Sequence, residues 1–148
     1  MYKGQALEEW IDSVLRERGI RTFGDIKPGV LRMVASDLTN GKIVVLPDDL
    51  YHYNIPFEDF PVARAVRMSA SLPYFFEPVR LTTEKEITII VDGGVLSKFP
   101  MWLFDQTKIN KERPVLGIKL SPHFNERPPR AITNALQMFE ALFLTMKD

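Results

Sequence analysis

The run Ile87–Val91 constrains this chain most, because it is β-branched and leads straight into Asp92–Gly93–Gly94. Branching at Cβ crowds a helix but packs well on a pleated surface. A run of this kind without regular polar alternation reads as a buried strand rather than a half-exposed one. Such a strand fixes the Asp92 carboxylate at its C-terminal edge, where ligands bind in open α/β sheets. The two glycines let the chain turn away and let another group come close. Asp-Gly is also a common hairpin turn, and these residues alone leave both readings open.

The rest of the pattern supplies candidate neighbours. Leu7, Trp10, Ile11, Val14 and Leu15 fall at helical spacing with charges between them, and Gly19 is a natural stop. This spacing predicts a core-packing N-terminal helix. Val30–Ala35 and Lys42–Leu46 read as two strands of an antiparallel hairpin, with Asp37, Thr39, Asn40 and Gly41 supplying the turn. Residues 47–61 read mostly as loop. Val62–Ala70 reads as a helix whose alanines allow close packing. The Pro-bounded stretch Leu72–Val79 is barred from regular helix. A short helix is expected over Pro100–Asp105, a strand over Pro114–Leu120, a surface turn over Lys108–Arg113, a loop over Ser121–Pro129 and a final helix over Arg130–Leu144. Alternating helices and apolar strands argue an α/β class.

Composition excludes several kinds of chemistry. Lys plus Arg and Asp plus Glu number 19 each in 148 residues, for zero formal charge. No basic cluster is available to displace counterions from nucleic acid, so no nucleic-acid partner is expected. Cysteine is absent, which removes thiolate nucleophiles, disulfides and Cys-based zinc sites. No His or carboxylate spacing matches a metal motif, and neither a metal nor a cofactor is expected. Charged residues fill the first twenty positions, against a secretory leader. No apolar run approaches the roughly 20 residues of a membrane span. A cytoplasmic location is the resulting expectation.

Two consecutive blocks resemble the patatin-like phospholipase family. The first is AVRMSASLPYFFEPV (Ala65–Val79), in which Arg67, Ser69, Pro73, Phe76, Pro78 and Val79 match. The second is IIVDGGVLSKFP (Ile89–Pro100), in which Asp92, Gly93, Gly94 and Pro100 match. The segments YKGQALEEWIDSVL and ASDLTNGKIVV look like bacterial members as well. The resemblance implies a three-layer α/β/α sandwich with a mainly parallel central sheet. Residues 1–148 would be the C-terminal portion of one catalytic domain. It also implies a lipid acyl ester hydrolase working through a serine–aspartate dyad, with Asp92 as the general base and Gly93 and Gly94 as its support. Lipid or acyl-ester substrate, transient contact with a membrane surface, and self-association through an exposed sheet edge follow as expected partnerships. A free aspartate has a pKa of about 3.9 and is a weak base at neutral pH. The site must therefore dry and hold the carboxylate so that its pKa rises.

The family's nucleophile sits in a Gly-x-Ser-x-Gly elbow. Serines stand at positions 13, 36, 69, 71, 97 and 121, and none has a glycine two residues earlier. The family's glycine-rich oxyanion segment is missing too, as the only adjacent glycines are Gly93 and Gly94. Both elements precede the matched region in the family, so the chain is expected to begin after them and to be inactive alone. Ser69 and Ser71 are weaker nucleophile candidates, and His52 and His123 lie in loops with no evident partner. Phe75 and Phe76 are candidates for an acyl-chain pocket, or else ordinary core. The rival reading is a non-catalytic fragment of the same fold that binds lipid or protein. A second rival is an unrelated α/β domain in which Asp-Gly-Gly is only a turn.

Overall fold

The computed structural model describes residues 1–97, 99–105 and 114–119. The chain forms two compact units, Met1–Ser97 and Lys98–Asp148.

In the first unit two helices accompany a four-stranded sheet. Helix α1 (Gln5–Arg16) carries Glu8 in its first turn and Arg16 in its last, which suits the helix dipole. The Asp12–Arg16 pair, 2.7 Å apart, spans one turn. None of its residues is fully buried: Leu15 packs on the rim of the core, whereas Trp10 is 64% exposed. The spacing thus located the helix, but its packing is shallower than expected. Helix α2 (Val62–Ser69) follows Pro61 and buries Val62, Ala63, Ala65 and Met68. The alanines bring its backbone close to the sheet, where it packs on two central strands, and α1 lies against it.

The strands are β1 (Met33–Asp37), β2 (Lys42–Leu46), β3 (Val79–Thr82) and β4 (Ile87–Asp92). They lie in the order β2-β1-β4-β3, and every pairing is antiparallel. The expected α/β/α sandwich with a mainly parallel sheet is therefore corrected: the described sheet is antiparallel, with helices beside it. The loop lengths give the reason. β1 reaches β2 through residues 38–41, and β3 reaches β4 through residues 83–86. A parallel pair needs a crossover of a dozen residues or more, whereas antiparallel neighbours join through a tight turn. β3 went unread because its four residues alternate buried and exposed at the end of a Pro-bounded stretch.

The β1–β2 hairpin was expected, with two changes. β1 begins at Met33 rather than Val30 and runs through Asp37, which had been assigned to the turn. Residues 47–61 contain two 3-10 turns, Asp48–Tyr53 and Phe57–Asp59. The core gathers Ala35, Val44, Leu46, Leu50, Met68 and Ile90. Burying side chains of this size stabilises by roughly 1.5–3 kcal/mol for each large aliphatic residue.

In the second unit α3 covers Trp102–Asp105, inside the expected short helix. Residues 114–119 form no strand, and Leu116 is 85% exposed, which corrects the reading of Pro114–Leu120 as far as Lys119. Apolar β-formers become a strand only where a partner ladder exists, and no described strand pairs with them. The expectations for Lys108–Arg113, Ser121–Pro129, His123 and Arg130–Leu144 lie outside the described residues.

Candidate active site

β4 is a central strand, flanked by β1 and β3, and its Thr88, Ile90 and Val91 are buried. Asp92 is its last residue and stands opposite Ala35 of β1. The Asp92 amide donates to the Ser71 carbonyl at 3.0 Å, tying the strand end to the segment after α2. The chain then leaves the sheet in a 3-10 turn, Gly93–Val95. Asp92 is therefore not at a hairpin tip, and its carboxylate caps the turn that follows.

The glycines have distinct reasons. A Cβ on Gly93 would run into the Val34 carbonyl, its carbon only 2.7 Å away. β1 and the turn could then not pack as they do. A Cβ on Gly94 would stand 2.8 Å from Asp92 Oδ1. With glycine there, the Gly94 amide instead donates to that oxygen at 2.6 Å. The carboxylate is held in position by this bond.

Asp92 is half-buried and accepts this one side-chain hydrogen bond among the described residues. Burial raises its pKa above the ordinary 3.8, and the Gly94 amide pulls weakly the other way. A desolvated carboxylate with spare acceptor capacity is a better proton acceptor than a solvated one.

The nearby serines are occupied. Ser69 Oγ donates to the Val34 carbonyl at 2.7 Å, and Ser71 Oγ to the Arg67 carbonyl at 2.6 Å. Ser36, fully buried on β1, lies 3.4 Å from the Gly93 carbonyl. Each hydroxyl serves the backbone, and none bonds the Asp92 carboxylate. His52, read as partnerless, stacks on Tyr51 with ring centroids 3.9 Å apart and lies 3.9 Å from Asp49.

Phe75 is 51% exposed, while Phe76 meets Tyr2 in a tilted ring contact at 6.5 Å. Their segment is anchored by Tyr2, whose amide donates to the Phe75 carbonyl and whose carbonyl accepts from the Glu77 amide. Two of the grooves in the first unit differ in character. One, about 510 Å³, is lined by charged residues of α1 and α2, Arg64 and Arg67 among them. The other, about 520 Å³, is mostly apolar and lies around residues 23–32 and 47–58. Neither is lined by Asp92, Phe75 or Phe76.

Asp37, read from sequence as a turn residue, proves to be a buried hydrogen-bonded corner. It is 0% exposed at the end of β1. It accepts from the Asn40 amide at 2.8 Å, from Asn40 Nδ2 at 2.9 Å and from the Tyr53 hydroxyl at 2.7 Å. Burial, then the bond to Asp37, pushes the Tyr53 phenol well above its ordinary value. The signal available was the Asp-x-x-Asn spacing, which lets an aspartate cap its own turn.

A central strand thus ends in an aspartate, with Gly93 packed against β1 and Gly94 against the carboxylate. A family model described as patatin-like phospholipase matches residues 1–105. The chain belongs to the patatin-like phospholipase family. It is also similar to a Bacillus subtilis (strain 168) protein described as uncharacterized protein YqhO, with 55% identity over all 148 residues. The chain spans 50% of that protein's length.

Proposed function

We propose that Asp92 is the general base of a lipid acyl ester hydrolase whose serine nucleophile this chain does not itself carry. The observation that supports this best is the Asp92 carboxylate. It ends a central strand, is held by one backbone amide, and has its pKa raised by burial. Family membership supports a lipid acyl ester as the substrate class. In the proposed reaction the serine oxygen bonds to the ester carbonyl carbon while its proton passes to Asp92. The carbonyl then re-forms as the alcohol leaves with that proton. Water then gives a proton to Asp92 and bonds to the acyl carbon, and as the acyl–serine bond breaks Asp92 returns the proton to the serine oxygen and the acid leaves. Exposed Phe75 offers an apolar surface to substrate drawn from a lipid surface.

A hybrid protein tests this, with the chain replacing the 148 residues it matches in the Bacillus subtilis relative. The hybrid should hydrolyse nitrophenyl esters, and Asp92→Asn should lower the rate by roughly 10²–10⁴-fold, the contribution of general-base assistance. An active hybrid that tolerates Asp92→Asn within a few-fold would refute the assignment.

A second reading, lipid binding without hydrolysis, is favoured for the 148 residues alone by their lack of a Gly-x-Ser-x-Gly elbow. The isolated chain should show no turnover above a denatured control. Turnover abolished by a serine-directed phosphonate would contradict this.

A further inference from the structure

The end of β4 is held on both sides, but by different means. On one side Ala35 of β1 stands opposite Asp92. On the other side β3 falls short, because its first residue, Val79, pairs with Ile90. Continuing that register would put Glu77 opposite Asp92, yet the Glu77 amide donates to the Tyr2 carbonyl at 2.8 Å. The Ile89 carbonyl accepts from the Leu38 amide and so faces the β1 side. Backbone groups alternate sides along a strand, so the Asp92 amide, three residues on, points away from β1. The Ser71 carbonyl meets it there at 3.0 Å. One residue of the segment after α2 thus stands in for the strand that is missing.

We propose that Ser71 is a positioning residue for Asp92, its buried hydroxyl fixing the carbonyl that tethers the end of β4. The role rests on the reading of Asp92 as a general base. α2 ends at Ser69, and the last carbonyls of a helix lack amide partners. The Ser71 amide turns to the Met68 carbonyl at 3.4 Å, and the Ser71 hydroxyl donates to the Arg67 carbonyl at 2.6 Å. Two bonds back onto one helical turn, made by a residue only 1% exposed, leave the Ser71 carbonyl little freedom. The Arg67 side chain secures that turn in its own right. It donates to the Lys3 carbonyl and, at 3.3 Å, to Glu8 Oε2.

The tether does what the other bond to Asp92 does not. The Gly94 amide that holds Asp92 Oδ1 lies two residues along the same chain, so that bond travels with the strand end. Ser71 refers the strand end to α2, which packs on β1 and β4. The segment beyond Ser71 is fixed from its far side too, where the Tyr2 amide donates to the Phe75 carbonyl at 2.7 Å. A general base must lie within hydrogen-bond reach of the proton it takes. A displacement of about 1 Å can cost roughly 10²-fold in rate.

Amide hydrogen exchange of the 148-residue chain, followed by NMR, tests the tether without any catalysis. The Asp92 amide should be protected in the wild type. Ser71→Ala should speed its exchange about tenfold beyond any change at the neighbouring Val91 amide, which faces β1. Ser71→Thr keeps the hydroxyl and should retain most of the protection. Tyr53→Phe, which removes a buried hydrogen bond at Asp37, should affect the Asp92 and Val91 amides alike. In the hybrid protein Ser71→Ala should lower kcat roughly 10–100-fold with KM within about twofold, and Ser71→Thr should recover most of the rate. Three results would overturn the proposal: an unprotected Asp92 amide in the wild type, a Ser71→Ala effect no larger at Asp92 than at Val91, or an active hybrid whose kcat ignores Ser71→Ala. An inactive hybrid, or one indifferent to Asp92→Asn, counts against the general base alone, and the exchange rates then decide the tether.

Discussion

Asp37 and Asp92 end adjacent strands of one sheet, yet their surroundings are opposite. Asp37, on β1, is sealed and saturated by Asn40 and Tyr53. Asp92, on β4, is half-buried and bonded by the Gly94 amide. A buried carboxylate that accepts three hydrogen bonds locks a turn, because losing a partner leaves a costly unpaired group. A partly desolvated carboxylate with capacity left can take up a proton. The same residue type in equivalent strand positions is thus structural in one place and suited to chemistry in the other, and the number of donors around it makes the difference.

Four substitutions can break or sharpen that contrast. The largest effect is expected for Asp37→Ala, which leaves the buried Tyr53 hydroxyl without its partner and removes both Asn40 bonds, exposed Asn40 keeping only Glu86 at 3.4 Å. It should cost about 3 kcal/mol or more, read as a lower urea midpoint. A loss below about 1 kcal/mol would mean that Asp37 is not the lock described.

Gly93→Ala comes next, because the new methyl meets the Val34 carbonyl backbone, which cannot swing aside. Overpacking of this kind costs typically 1–3 kcal/mol. Thermal melts followed by circular dichroism should show it, and an unchanged melting temperature would disprove the tight β1–turn contact.

Tyr53→Phe removes one donor from Asp37 and leaves two, so about 1 kcal/mol is expected. In the native chain the phenol should also resist ionisation, since burial and Asp37 raise its pKa. Ultraviolet titration at 295 nm would reveal a tyrosine that ionises only on unfolding. Ordinary titration of all tyrosines in the folded chain would contradict the sealed corner.

The smallest effect belongs to Asp92→Asn, within about 0.5 kcal/mol, since Asn still accepts from Gly94. Its sign is the informative part. Burial raises the folded-state pKa of Asp92, so ionisation costs the folded chain more than the unfolded one. The contribution of Asp92 to stability is therefore complete below the ordinary carboxyl value of 3.8 and is lost as pH rises through the raised value. Asp92→Asn should be slightly more stable than wild type at pH 7 and equal to it at pH 3. The reverse order would identify Asp92 as a stabilising anion and contradict the raised pKa.

Much of this organisation is legible in residue order. The β-branched run Ile87–Val91 is legible as a strand, because its side chains lose least freedom there, but it is less buried than the sequence suggests, with Ile87 57% exposed and Ile89 only partly buried. The spacing of Leu7, Ile11, Val14 and Leu15 yields α1, and the small residues of 62–69 yield α2. Asp92–Gly93–Gly94 could be singled out because an acid between a buried strand and two glycines is a local signal. The contrast between Asp37 and Asp92 was not legible. Both precede a turn, and nothing in Asp37 itself reveals that Tyr53, sixteen residues on, will cap it.

Sequence alone determined α1, α2, the β1–β2 hairpin and β4, though neither β3 nor the absence of a strand over residues 114–119, and that one strand delivers an aspartate to its own end. Those are short-range consequences of side-chain shape and spacing. Only the tertiary structure decided that β1 and β4 pair antiparallel at the sheet centre, that Gly93 must be bare because Val34 lies against it, and that water is largely excluded from one aspartate and partly from the other. Long-range pairing, close approach and desolvation arise between segments far apart in the chain, and no local pattern encodes them.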